Sequence, residues 1–316
     1  MSDSRVTVAV VPRERFSYMK PSLDNVLANT PAGVKLVYVD GGSPSAIKRY
    51  VAAQAEKRGF DLIRTDHYLS PNQARNLAVS RVTTKYVVFV DNDVLVEPGW
   101  LEALVNCAEE TGASIVGPMC YAGKPGTRSI HMAGGVAHIQ EKNGRRVLHE
   151  RHNFAGKDAT KIAAQLQRGP TELAEFHTML VRKDVFDRFG PLDEKLLSAL
   201  EHVDLCMTVR DAGGTVYFEP KAEMTYVPPP PFALSDYPFF MLRWSDAWNN
   251  ATVQHFQQKW QLAAEDESLE EITEWLRIHR HIYFKPAWKV IYPVVGWRRT
   301  NTIERALSQC VVSLVS

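Results

Sequence analysis

Short runs of β-forming residues alternate with stretches of helical spacing from Val6 to Gly117. Val6–Val11, Val34–Asp40, Leu62–Thr65, Tyr86–Val90 and Ser114–Gly117 are the strand-like runs. Pro44–Arg58, Pro71–Val82 and the stretch from Pro98-Gly99 to Thr111 carry the helical pattern between them. Uncharged strands suit burial on both faces. Strands alternating with helices predict an α/β fold built on a mostly parallel sheet flanked by helices.

The pattern then loosens. Gly134–Ile139 and Arg145–His149 read as strands around the turn Lys142-Asn143-Gly144. Lys157–Arg168 reads as a helix or loop over a site, Ala174–Val181 as a strand, and Lys183 opens a short helix ending at Phe189-Gly190. A helix following Leu200 runs to Ala212 and is closed by Gly213-Gly214. Thr215–Glu219 and Ala222–Val227 read as two strands. Pro228–Pro231 predict extended polyproline geometry. Ser235–Trp260 and Leu269–His281 have helical spacing. The expected organisation is a main domain over 1–262 and a helical, basic and aromatic C-terminal extension over 263–316.

Composition narrows this only a little. A chain of 316 residues, 45% hydrophobic and 23% charged, fits one large globular domain with an appendage. A net charge of +1 supplies no global field toward nucleic acid. Cys107, Cys120, Cys206 and Cys310 show no metal or redox spacing, so reduced thiols in a cytoplasmic protein are expected. Met1–Arg5 lacks the basic-then-apolar pattern of a signal peptide, and no apolar run is long enough to span a bilayer as a helix. From Arg277 to Arg299 there are six Lys/Arg and no acid, interleaved with aromatics such as Tyr283 and Trp288. That mixture suits peripheral contact with the inner face of a membrane. It suits equally well packing on the main domain or on a second copy in a homo-oligomer, and Pro286 and Pro293 argue against one long helix.

The most chemically pointed stretch is Tyr86–Asp93, a buried strand ending in Asp91-Asn92-Asp93. In open α/β sheets, ligands bind beyond the carboxyl ends of the strands. Residues i and i+2 of an extended chain point the same way, so Asp91 and Asp93 could share a hard cation. A solvated turn uses the same residue types. Asp40 is expected at the same sheet edge, followed by Gly41-Gly42-Ser43-Pro44.

Taken in order, Val37-Tyr-Val-Asp-Gly-Gly-Ser43, Ala74-Arg-Asn-Leu77, Val88-Phe-Val-Asp-Asn-Asp93, Arg182–Gly190 with Asp193-Glu194, and Glu201-His-Val-Asp-Leu-Cys206 resemble a family 2 glycosyltransferase of the GT-A fold with a DXD-type motif. The resemblance runs from about Val6 to Trp260 and implies an inverting enzyme that moves a sugar from a nucleotide-sugar donor to a saccharide or lipid-linked acceptor, as in polysaccharide assembly. A divalent cation, Mn²⁺ or Mg²⁺, would stabilise the leaving diphosphate as a Lewis acid. By resemblance, Asp93 is the metal ligand and Asp91 holds the ribose or the metal's water shell. Asp40 meets the base or ribose, Arg75 contacts the base or supports Asp40, and Asn92 joins the nucleotide-binding set.

Inversion requires a general base for the acceptor hydroxyl. The family carries Glu-Asp where this chain has Glu201-His202, with Asp204 two residues on. Glu201 keeps the family position and is the first choice. His202 has a suitable ordinary pKa, and Asp204 is either a further candidate or a cap or partner for a basic group. Tyr226 stands where relatives place a metal- or diphosphate-binding His, and could donate to a phosphate oxygen. His131, His138, His149, His152 and His177 are further histidines whose spacing assigns no role. Trp244 and Trp248 read either as a sugar platform or as core. Two rival functions use the same sheet. A sugar nucleotidyltransferase would want a glycine-rich loop where Val10–Arg15 has none, and a non-catalytic nucleotide-sugar-binding scaffold would keep the fold alone.

Overall fold

A computed structural model describes residues 5–280, 282 and 292–315. The middle of the basic aromatic stretch of the C-terminal extension, including Tyr283 and Trp288, lies outside the described residues.

Four strands form the predicted parallel half: β1 (Val6–Val11), β2 (Lys35–Gly41), β3 (Asp61–Thr65) and β4 (Tyr86–Asp91). They pair in the order β4-β1-β2-β3, and every pairing is parallel. All six residues of β1 and of β4 are buried, which explains why neither run alternates. Helices α1 (Met19–Asn29), α2 (Ser45–Arg58) and α3 (Pro71–Val79) link them. Helix α3 begins with a capping box: Ser70 accepts from the Gln73 N–H and Gln73 returns the bond, with Pro71 at the first turn. Gly42 ends β2 at φ +71°, and a Cβ there would lie 3.0 Å from the His67 backbone, so a side chain would be doubly opposed.

The second half of the sheet is mixed. After β5 (Val94–Val96) and α4 (Trp100–Thr111), β6 (Ile115–Ala122) is longer than its apolar core predicts, because it also pairs with β7 (Ile130–Met132). The hairpin β8 (Gly135–Lys142) and β9 (Arg145–His152) forms a separate two-stranded sheet around Asn143-Gly144. Segment 157–168 is two single 3₁₀ turns. Its Ala159 packs with Met119, Ile130 and Phe218. Beyond β10 (Gly169–Thr171), β11 (Thr178–Arg182) runs antiparallel between β4 and β6. It starts later than its sequence suggests, leaving Glu175 and His177 in the approach to the strand.

Helices α5 (Asp184–Phe189) and α6 (Glu201–Asp211) follow. The two strands expected after them are one, β12 (Val216–Tyr226), with a register shift between Glu219 and Glu223. The shift absorbs Pro220, which cannot donate to a ladder. The four prolines do not form a polyproline helix; the Pro229–Pro230 and Pro230–Pro231 bonds are cis. The single helix expected from Ser235 to Trp260 is divided into α7 (Tyr237–Arg243) and α8 (Asp246–Lys259). Ser245 makes the break by capping α8 through the Trp248 N–H. Helix α9 (Glu267–Arg280) buries Leu269 and Leu276 against the preceding elements. A final helix, α10, spans Trp297–Val315. No helix among the described residues is long and apolar enough to cross a membrane.

Candidate active site

Strand β4 ends at Asp91, and its carboxyl edge carries the charged cluster. Asp91 is fully buried, and its two oxygens are divided among three partners. Arg75 Nη2 lies 3.4 Å from one; Arg13 Nη1 at 3.4 Å and His177 Nδ1 at 3.1 Å face the other. Burial alone would raise this acid, but His177, Arg13 and Arg75 outweigh it and hold Asp91 below the usual carboxylate range. Asn92 turns its side chain to the backbone instead. It accepts from the Arg13 N–H at 3.1 Å and donates to the Arg15 carbonyl at 3.1 Å, which fixes the loop after β1.

Asp93 is the odd member. It is completely buried, and neither carboxylate oxygen has a hydrogen-bond partner. Burial, with the negative charges of Glu14 and Asp91 beside it, pushes its pKa well above the ordinary value. A buried acid without donors is costly unless a cation is to occupy the place. Asp91, Asp93 and His177 each offer a ligand atom within 4.8 Å of one another. Burial and nearby Arg13 pull the His177 imidazole down to about 4, so it is neutral at pH 7. A neutral ring donates to only one of the two carboxylates it faces, Asp91 and Glu175. The donor set therefore fits a divalent cation.

Glu201 arrives from the first turn of α6. The residue before it, Leu200, is held at φ 65°, where a side chain other than glycine is strained; such strain marks sites whose geometry is over-determined by their surroundings. One Glu201 oxygen lies 3.4 Å from Arg75 Nη1 and 3.7 Å from Arg243 Nη2; the other is buried without a partner. Arg75 thus bridges Asp91 and Glu201, and it lies 3.8 Å above the Phe176 ring. This corrects the expectation that Arg75 supports Asp40. Asp40 sits in a different arrangement: it accepts from the Ser43 N–H at 3.0 Å and hydroxyl at 2.9 Å, and pairs with Arg64. Its position in β2, opposite Arg64 in β3, dictates that partnership.

His202 follows on α6, with its ring 6.5 Å from that of His152. Burial lowers its pKa despite the nearby charges of Glu175, Glu201 and Glu150. Asp204 is held elsewhere: Lys259 Nζ at 2.8 Å and Trp260 Nε1 at 2.9 Å donate to it from the end of α8. Tyr226, at the end of β12, donates its hydroxyl to Glu14 and stacks on His177 with ring centroids 4.0 Å apart. That proton is held by Glu14 in this structure, so a phosphate contact would require the hydroxyl to exchange partners.

The family description "Glycosyl transferase family 2" matches residues 7–190, which contain Asp40, Arg75 and the Asp91–Asp93 motif. The chain belongs to glycosyl transferase family 2. It is 25% identical over 224 residues to the uncharacterised protein y4gI of Sinorhizobium fredii, covering 69% of this chain and 24% of that one. It is 24% identical over 219 residues to the pre-mycofactocin glycosyltransferase of Mycobacterium tuberculosis, covering 69% of this chain and 41% of the relative. The chain therefore spans less than half the length of these curated relatives. The fold resembles that of GalNAc-T7 with UDP, GalNAc and Mn²⁺ (TM-score 0.54, 13% identity, 90% of this chain and 57% of that one). It also resembles the mannosyltransferase PcManGT of Pyrobaculum calidifontis with GDP-Man and Mn²⁺ (TM-score 0.52, 15% identity, 98% and 80%). The architecture is GT-A, as the motif order implied.

Within this family 2 framework, the loop after β1 carries residues that the sequence did not reveal. Glu14 is fully buried and takes hydrogen bonds from Tyr226 and from Trp244 Nε1 at 3.0 Å, with His279 Nε2 at 3.1 Å. Arg15 donates to the carbonyls of Val227 and Pro231. Trp244 is therefore core, 1% exposed, rather than a sugar platform. Arg243 is fully buried, and burial with Arg13 nearby pulls it down to about 10. Its Nε and Nη1 lack partners, as do the Nε atoms of Arg13, Arg15 and Arg75. Only the Arg-Glu-Arg sequence itself, charged and directly after a buried strand, could have drawn attention to this loop.

The Asp204 geometry yields a prediction. Asp204→Ala should cost about 1–3 kcal/mol of stability, chiefly by leaving the Trp260 indole N–H without its acceptor while Lys259 keeps Asp193, and leave turnover within a few-fold of the parent. Thermal melts and initial rates check it, and a loss of turnover without a loss of stability would make Asp204 catalytic.

Proposed function

We propose that this chain transfers a sugar from a nucleotide-sugar donor to a saccharide or lipid-linked acceptor, with inversion. The observation that carries the reading is the pairing of opposites in one buried place. Asp93 has two oxygens without donors, while Arg243, Arg13 and Arg75 have N–H groups without acceptors. A cation-bound diphosphate satisfies both sets. Mn²⁺ or Mg²⁺ held by Asp93, with Asp91 and His177 beside it, would supply Lewis-acid stabilisation of the departing diphosphate. The Mn²⁺ in the two structural neighbours supports that choice. The arginines supply fixed positive charge toward the same leaving group.

For the base we favour His202 over Glu201, because Glu201 is tied up by two guanidiniums. Although burial works to raise Glu201, Arg75 and Arg243 leave it below the usual range. An acid so stabilised as its anion is a weak base. Burial lowers His202 too and weakens it as a base, but from a higher ordinary value, and it leaves the ring uncharged at neutral pH with a nitrogen lone pair to take a proton. We assign Glu201 to holding Arg75 and Arg243 in place. Asn92 supports the loop carrying Arg13, and Asp40 with Arg64 forms the floor nearest the expected nucleoside.

The test is a thermal-shift panel of UDP-, GDP- and dTDP-sugars with and without Mn²⁺. A bound pair at a hundredfold excess over Kd stabilises by about 2.7 kcal/mol, so a rise requiring both nucleotide and metal is expected. No rise with any pair overturns the reading, and a rise without transfer to any acceptor favours the scaffold. Action in polysaccharide assembly at the inner face of a membrane, the appended character of 263–316, and self-association through that region belong to the same proposal. Co-sedimentation with anionic vesicles and sedimentation velocity test them.

A further inference from the structure

We propose that His131, His152 and Glu175 form a second cation site, for a borderline transition-metal ion such as Zn²⁺, distinct from the Asp91–Asp93 pair. One ligand atom from each of the three lies within 4.8 Å of the others. They come from three separate places in the chain: β7, the end of β9 and the approach to β11. His131 Nε2 is 2.7 Å from one Glu175 oxygen, and the other oxygen lies 3.3 Å from His177 Nε2. The His131 and His152 rings stand edge to face at 5.1 Å. His152 Nε2 lies 3.2 Å from Glu150, a contact that an ion bound through that nitrogen would replace.

Chemistry separates this site from its neighbour. Two imidazoles with one carboxylate suit zinc, which takes three protein ligands and leaves a fourth position for water. The carboxylate-dominated pair at the end of β4 suits a harder ion, Mg²⁺ or Mn²⁺. Access differs as well. Asp91 and Asp93 are completely buried, whereas the His131, His152 and Glu175 side chains are 29%, 23% and 12% exposed, so an ion can enter from solvent. Ordinary His–Glu pairing would account for one such contact. It does not account for three elements delivering ligands to one point. The ion would fasten the β8–β9 hairpin, which belongs to a separate sheet, to the main sheet through His152. Glu150, His152 and His202 form a second triad that shares His152. The first is preferred because its ligands come from three elements, whereas Glu150 and His152 share β9, and because it leaves His202 unligated.

The experiment needs no transfer activity. In an Asp93→Asn background, which silences the acid pair, Zn²⁺ binding is measured by calorimetry and by metal analysis after dialysis. Co²⁺ replaces Zn²⁺ as a visible reporter of tetrahedral coordination. One equivalent of Zn²⁺ per chain is expected, with His131→Gln and His152→Gln each weakening it by at least about tenfold, as loss of a direct ligand should exceed the 10–100-fold range of outer-shell changes at its low end. Circular dichroism of the metal-free variants confirms that both are folded. His202→Gln should leave binding intact. No Zn²⁺ binding in the background, unchanged binding in His131→Gln, or binding lost with His202→Gln but kept with His131→Gln would each overturn the assignment.

Discussion

Asp93→Asn is expected to raise the melting temperature of the metal-free chain while erasing its response to Mn²⁺. Both results have one cause. The Asp93 carboxylate is buried without a donor, beside Glu14 and Asp91. An unsatisfied buried polar group costs about 1–3 kcal/mol, more when charged. The amide is isosteric and carries no ionisable proton, so the folded chain no longer has to hold an acid protonated beside Glu14 and Asp91, and it cannot hold a divalent ion as an anion does. A gain of a few °C follows from the usual conversion for chains of this size. The sign with pH is set by the raised acid. Below the ordinary carboxyl range, folded and unfolded chains both keep the proton and the substitution changes little. Above it, the unfolded chain releases the proton first, so the parent's folded state loses ground as pH rises toward the raised pKa. The advantage of Asp93→Asn should therefore be larger near about pH 7.5 than near about pH 5. Scanning fluorimetry on chelator-treated protein reads all three effects. An advantage that shrinks with pH, or a variant that still responds to Mn²⁺, would remove Asp93 from the metal site.

The second large effect concerns proton transfer. His202→Ala should slow sugar transfer by about 10²–10⁴-fold, the usual contribution of a general base, with donor affinity retained. Its lowered pKa places the acidic limb of the parent's kcat profile below the ordinary imidazole value, with rates rising as pH climbs through that limb and level by neutrality. Glu201→Gln should behave differently. It leaves Arg75 and Arg243 without their carboxylate, and breaking a buried pair from one side costs about 3–5 kcal/mol. Its signature is lost stability and weakened donor binding rather than a loss confined to kcat. Single-turnover rates beside melting curves separate the two. A folded Glu201→Gln protein that binds donor normally and is the slower enzyme would return the base to Glu201.

Local periodicity made the parallel half legible. Strands β1 and β4 are buried on both faces, so their composition alone announces them. Asp93 stood out because carboxylates just beyond a buried strand need a reason. What escaped is non-local. Arg13, Glu14 and Arg15 look like a surface loop, yet Glu14 finds its partners at Tyr226, Trp244 and His279, over 200 positions away. The partnership of Asp40 with Arg64 on the adjacent strand was likewise out of reach of any local pattern. The break at Ser245 was legible in principle, since Ser before Asp is a helix-start signal; the apolar spacing on either side concealed it.

The anchoring of Glu14 and Arg15 has a consequence for how the polypeptide is made. A ribosome delivers β1 long before the residues that hold its following loop: Pro231 comes 216 positions after Arg15 and His279 comes 265 positions after Glu14. Contacts of such span form slowly. A nascent chain is thus expected to acquire its parallel strands before α9 is made, and to close around Glu14 only once His279 has emerged. A chain interrupted within α9 would keep its parallel strands but lack that anchor.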